Sequence, residues 1–322
     1  MIYTVTLNPT LDRSLSVAEI VFNEVLRASQ VRLDWGGKGL NVSRALNALG
    51  GESVAMGFVG GAAGKQLEYG LHSLGIPTRF VTITSETRST VFIAESGSER
   101  HIKVNETGPT IQPAELDALL KLVAETVQPG DYWTLNGSLP PGVPADIYAR
   151  LIDLIQRRRA FACLDTSGEA LRLGCQAKPF MVKPNRLEAE TVYGAAIRSE
   201  VDAQAALSAF MKLGVGLVAL SMGADGLLLG SASEAVWAKP PQVTIQGPTG
   251  AGDALLAGLL WALTHSLSLE ESARWGAACG TAAALLPGTA VGTLADVEAL
   301  LPAISTYPGS SQYCRTSPKR AS

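Results

Sequence analysis

Short apolar, β-branched runs alternate with stretches of helical period along most of the chain, and that alternation admits few folds. Strands are expected at residues 2–7, 53–59, 132–135, 160–164, 179–182 and 216–220, and helices at 39–49, 65–74, 113–127, 145–158 and 202–213. Gly50-Gly51 stops the first helix, and Pro113 with Glu115 opens the third. Repeated strand–helix–strand units make right-handed crossovers and a mostly parallel sheet covered on both faces. Such α/β sheets bind ligands at the carboxyl ends of their strands. Residues 12–35 and 79–104 break the rhythm with period-2 alternation and no helix between strands. They are expected to form hairpins outside the main sheet, as an antiparallel lid that could also carry a homodimer contact; ordinary edge strands are the alternative. Residues 305–322, rich in Ser, Pro, Gly and Arg, read as a flexible tail after a single domain spanning 1–304.

Composition narrows the class. Of 322 residues, 47% are hydrophobic, 33 are Gly and only 17% are charged, which suits an α/β enzyme and excludes a disordered chain. A formal net charge of −3 gives no general attraction to nucleic acid or anionic membrane, so an anionic ligand would need local cations. Four cysteines without CxxC spacing and three scattered histidines make no zinc set; Cys163 and Cys279 read as small buried residues. The N-terminus lacks a basic leader and no long apolar run stands free of turn signals, so a cytoplasmic enzyme is expected.

The chemistry concentrates in turns. Gly250-Ala251-Gly252-Asp253 follows a β-branched run ending at Ile245 and precedes a run of helix formers, so it reads as a strand-to-helix junction. Unpaired N–H groups there suit a phosphate or a developing negative charge, and the glycines allow close approach. Asp253 is either the helix cap or a base that takes a proton from an attacking hydroxyl. Trp35-Gly36-Gly37-Lys38-Gly39-Leu40-Asn41 is a glycine loop entering a helix: a plain turn, or a clamp on a small polar ligand. Asp12 closes the turn after the first strand and could accept bonds from sugar hydroxyls. Asn185 and Glu188, three apart after Lys183-Pro184, could organise Mg²⁺ or simply cap their helix. Gly60–Gln66 falls short of a Walker A loop, and Gly57–Ala62 fails the dinucleotide pattern.

In order and spacing, Gly36–Ser43, Lys183-Pro184-Asn185…Glu188 and Gly250–Asp253 resemble the PfkB (ribokinase-like) family of sugar kinases, over residues 2–301. The resemblance implies a three-layer αβα fold with a small β lid, ATP as co-substrate and Mg²⁺ as cofactor. It implies Asp253 as general base beside the Gly250, Ala251 and Gly252 backbone. Asp12, Gly37, Lys38, Asn41, Arg88 and Ser138 would hold the sugar, and Lys183, Asn185, Ser221, Gly223, Gly226 and Gly252 the nucleotide. Glu188 would reach Mg²⁺ through water. The opening residues 4–12 and Gly137-Ser138-Leu139-Pro140-Pro141-Gly142 resemble the branch acting on hexose phosphates, where Lys38 and Arg88, then Arg27 and Lys103, would meet the existing phosphate. The implied reaction converts fructose 1-phosphate to fructose 1,6-bisphosphate, with tagatose 6-phosphate or fructose 6-phosphate as alternative substrates and a non-catalytic sugar-phosphate sensor as the alternative of another class. Two positions leave the family pattern: Gly247-Pro248, and Cys279 where relatives place Asn toward the nucleotide.

Overall fold

The alternation resolves, in a computed structural model describing residues 1–98, 100–247 and 249–309, into two sheets and ten α-helices among the described residues. In chain order the elements are β1 (Ile2–Thr6), β2 (Thr10–Val17), β3 (Ala28–Gly36), α1 (Lys38–Ala48), β4 (Ser53–Val59), α2 (Gly61–Ser73), β5 (Thr78–Thr82), β6 (Arg88–Glu95) and β7 (His101–Asn105). Then come α3 (Pro113–Thr126), β8 (Tyr132–Asn136), α4 (Ile147–Arg157), β9 (Phe161–Asp165), α5 (Gly168–Gln176), β10 (Met181–Val182), α6 (Arg186–Tyr193) and α7 (Glu200–Lys212). The chain continues through β11 (Leu217–Ser221), β12 (Leu227–Ser231), β13 (Ala235–Lys239), α8 (Ala251–Thr264), α9 (Leu269–Ala284), α10 (Leu294–Leu300) and β14 (Ser305–Pro308).

The main sheet runs β14-β13-β12-β11-β10-β9-β8-β1-β4-β5. It is parallel from β5 to β11 and antiparallel from β11 to β14. One face packs α3, α4, α5 and α7 around Trp133, Tyr148 and Phe210; the other packs α1, α8, α9 and α10 around Leu46, Leu256 and Leu259. Helices on both faces explain why central strands are apolar on both sides. Among the described residues no helix is long and apolar enough to cross a membrane.

The second sheet runs β3-β2-β6-β7 and is amphipathic. The row Asp34–Asp12–Thr90–Asn105 presents polar side chains on one face. The adjacent row Leu33–Arg13–Val91–Val104 and the next row on that side, Val31–Leu15–Ile93–Ile102, present mostly apolar ones on the other. Strand period 2 separates the faces. Four expectations are corrected. The β2–β6 pair at the centre of this sheet is parallel, whereas its outer pairs are antiparallel. Residues 79–82, expected in the lid, lie in β5 at the edge of the main sheet, where β5 follows the β4–α2 unit. Residues 243–245 form no strand; residues 240–247 are loop, because both edges of β13 are already taken by β12 and β14. Residues 305–308 of the expected tail are a strand, held by pairing with β13 and by Tyr307 stacking on Trp237. The remainder of that tail, from 310, and Pro248 lie outside the described residues.

Candidate active site

α8 is the element that sets the site. It packs against α9, α1 and the sheet, and its residues Asp253–Leu260 and Ala262 are buried. Asp253 is its one charged residue, and placing an ion inside such a helix costs free energy unless partners compensate. Gly250, just ahead, adopts φ 87°, a left-handed turn that suits glycine, and its carbonyl accepts the Ala254 N–H at 2.9 Å. The Asp253 carboxylate accepts the Asn41 Nδ2–H at 2.8 Å. Burial and the nearby Asp165 charge raise its pKa to about 6, against the pull of Asn41, Lys183 and Lys38.

Asp165, at the carboxyl end of β9, is fully buried and holds two cations. Lys38 Nζ lies 2.8 Å from Oδ1 and Lys183 Nζ 3.1 Å from Oδ2. Burial alone would raise the Asp165 pKa; Lys183 and Lys38 outweigh it and keep the carboxyl ionised. Lys38 is also 3.6 Å from Glu188 Oε1. Burial disfavours its charge, and the Asp165 and Glu188 carboxylates more than restore it, holding its pKa above the ordinary lysine value. Asp253, the lysine pair and Asp165 thus form one electrostatic unit. Gly252 shares it, since a Cβ there would sit 3.4 Å from Lys183 Nζ.

These groups open on a cleft of about 1230 Å³ at the carboxyl ends of the parallel strands, roofed by the polar face of the small sheet. At its lid side lie Asp12, Thr90, Arg88 and Lys103. Burial raises the Asp12 pKa, and its Oδ1 has no hydrogen-bond partner among the described residues. Arg88 donates through Nε and Nη2 to the Asn8 carbonyl at 3.2 and 3.0 Å and through Nη1 to the Glu106 carbonyl at 3.0 Å. Gly37 and Ser138 line the same half; the Gly137 carbonyl behind Ser138 is held by Tyr148 Oη and Thr166 Oγ1. On the far side lie Lys183, Asn185, Glu188, the turn Ser221–Gly226, and a wall of Pro240, Pro241, Ala277, Gly280 and Ala284.

Every residue expected at the site from the sequence lines this cleft except Arg27, which is exposed on the link between β2 and β3. Three details sharpen the expectations, the first of them the capping alternative for Asn185 and Glu188. Asn185 and Glu188 are a reciprocal capping box: the Glu188 N–H donates to Asn185 Oδ1 and the Asn185 N–H to Glu188 Oε2, both at 2.9 Å. Lys38, expected at the sugar's phosphate, is tied to Asp165 and Glu188. Cys279 faces α8, with its Sγ against Gly258, and small residues Ala277 and Gly280 face the cleft instead. Asp165 was not foreseen. The available signal was an aspartate ending an apolar strand just before Thr166-Ser167-Gly168, the position where parallel sheets carry function.

The model of the pfkB family carbohydrate kinases matches residues 6–295. The chain is 36% identical over 304 residues to a 1-phosphofructokinase of Bacillus subtilis, covering 94% of this chain and 98% of that protein. It is 34% identical over 316 residues to an ATP-dependent 6-phosphofructokinase isozyme 2 of Mycobacterium tuberculosis, covering 97% and 93%. The crystal structure of phosphofructokinase-2 from Escherichia coli in complex with substrates and products superposes with a TM-score of 0.88 at 30% identity, covering 94% of this chain and 98% of that one. A family match across nearly the whole chain, with a solved relative superposing over almost all of it, makes this protein a member of the pfkB family of carbohydrate kinases, and a phosphotransferase.

Proposed function

We propose that the protein transfers the γ-phosphoryl group of ATP to a hydroxyl of a ketohexose phosphate, fructose 1-phosphate before tagatose 6-phosphate or fructose 6-phosphate. The observation that carries this reading is Asp253: a buried carboxylate at the first turn of α8, oriented by Asn41 and facing a cleft lined by cations. The sugar hydroxyl loses its proton to Asp253 as its oxygen bonds to the γ-phosphorus; the bond from phosphorus to the bridging oxygen breaks, and ADP keeps that electron pair. N–H groups at the Gly250–Asp253 turn face charge gathering on the transferred phosphoryl oxygens. Asp12 and Asn41 accept and donate to sugar hydroxyls, and Arg88 with Lys103 supplies positive charge for the phosphate already on the sugar. A relative named 1-phosphofructokinase supports fructose 1-phosphate, and one named 6-phosphofructokinase supports the alternative.

Among the described residues no three His, Cys, Asp or Glu side chains converge, and Asp165 is committed to two lysines. Glu188, capping α6 at the cleft wall, fits a magnesium ion carried on the triphosphate and met through water. When bound, Mg²⁺ neutralises phosphate charge; Lys183 and Asn185 position the nucleotide beside it.

The deciding experiment mixes protein, Mg·ATP and each of the three sugar phosphates and follows ADP release. Turnover with a ketohexose phosphate, highest kcat/KM on fructose 1-phosphate, is expected. A higher kcat/KM on another member reassigns the substrate. Binding of sugar phosphate without ADP release from any member replaces the kinase reading with a sensor.

A further inference from the structure

Asn41 touches the base with its amide nitrogen, so its usefulness depends on which way the amide faces. Its Oδ1 accepts a hydrogen bond from Arg44 Nη1 at 3.3 Å. Asn41 and Arg44 are three apart on α1 and share one face. With Oδ1 on a guanidinium, the NH₂ is left for Asp253; a flipped amide would set an oxygen against the carboxylate and lose both bonds. Arg44 lies outside the cleft wall, its side chain 12% exposed, and is anchored elsewhere. Nη1 reaches Thr289 Oγ1 at 3.4 Å, and Nη2 lies 4.0 Å from Asp34 Oδ1 on lid strand β3. Thr289 backs the Gly250 turn: a Cβ on Gly250 would meet its Cβ at 3.9 Å. Arg32, bound to Asp34 at 2.8 Å, also lays its guanidinium against Gly288.

We propose that Arg44 is a positioning residue that locks the Asn41 amide toward Asp253 and ties that lock to the lid through Asp34. The chain of contacts Asp34–Arg44–Asn41–Asp253 makes the setting of the lid strand felt at the base without Arg44 touching a substrate. This rests on the reading of Asp253 as the base. The charges facing Arg44 are Asp34 and Arg32 from β3 and Asp12 from β2. Those facing Asp253 are Asp165 from β9, Lys183 following β10 and Lys38 from α1. Losing the oriented Asn41 donor removes stabilisation of ionised Asp253, so the base titrates at higher pH.

The test compares wild type, Asp253→Asn, Arg44→Met and Arg44→Lys for kcat, both KM values and the acid limb of kcat/KM. The sugar phosphate titrates near pH 6 in every case, so the limb is read as the difference between variants. Arg44→Met is expected to lose about ten- to a hundredfold in kcat, the worth of a hydrogen bond to a charged group. Its KM for ATP should stay at the wild-type value while the acid limb moves to higher pH. Arg44→Lys, which keeps the charge but not the fork, should recover part of kcat. A Met variant with kcat within about twofold of wild type and an unmoved limb overturns the proposal. Should Arg44→Met fail to fold, Asp34→Asn decides: the same upward limb shift supports the relay, and an unmoved limb overturns it. If Asp253→Asn turns over normally, the base assignment itself has failed; if it is inactive while the Arg44 and Asp34 variants match wild type, only the relay has.

Discussion

At the residue scale, Asp253 is where stability and chemistry pull apart. Burial holds its pKa at about 6, above the ordinary aspartate value of 3.8. A raised carboxyl pKa means that the folded state favours the proton. The associated stability is fully present below the unfolded pKa and is lost as pH rises through the folded one. Ionised Asp253 therefore costs roughly 3 kcal/mol at neutral pH. Asp253→Asn should lose on the order of 10²–10⁴-fold in kcat and yet melt higher than wild type at pH 7.5. The gap in melting temperature should close between pH 6 and pH 4. Equal melting at all pH values would mean that the carboxyl is not held in its charged form at a cost. Asp253 was visible from the sequence as one charge in an apolar helix after two glycines; its pKa was not, because Asp165 and Lys183 come from distant strands.

At the scale of elements, α6 shows how one motif serves two ends. Asn185 and Glu188 satisfy each other's backbone N–H groups, which an eight-residue helix needs at its first turn. The same box fixes Glu188 near Lys38 on the cleft wall. Asn185→Ala should cost about 1 kcal/mol, seen as a fall of about 2 °C in melting temperature, whereas Asn185→Ser should restore most of it. Equal losses in both variants, measured by calorimetry, would show that the Asn185 side chain does not act as a cap. The sequence spacing was compatible with cap or ligand; the structure places the pair in a box that also borders the cleft. The loop 240–247 shows the opposite case. Val243-Thr244-Ile245 has strand composition, but β13 pairs with β12 and β14, so no free sheet edge is left beside it.

At the scale of the molecule, α2 covers one end of the small sheet's apolar face by packing on Trp35, and much of the remainder of that face stays exposed. The sheet's polar face closes the cleft; on or beside its other face Phe22, Val25, Val31 and Val104 are each more than half exposed. Contiguous apolar surface of this kind marks an interaction site. We propose that two copies meet through this face as a homodimer. Wild type should then sediment as a dimer at micromolar concentration, and Val31→Glu with Val104→Glu as a monomer. A monomeric wild type would remove the proposal.

The sequence by itself determined the αβα layering, most of the lid strands and a set of candidate residues that, Arg27 apart, all line the cleft. Those are properties of local period, turn chemistry and motif order, all carried by neighbours in the chain. Only the tertiary structure decided that Asp165 gathers Lys38 and Lys183, that Arg44 orients Asn41, and that the centre of the lid pairs in parallel. Lys38 meets Asp165 across 127 positions and Asn41 meets Asp253 across 212. Contacts of that span exist only after the strands have taken their order in the sheet, and no periodicity in the chain encodes them.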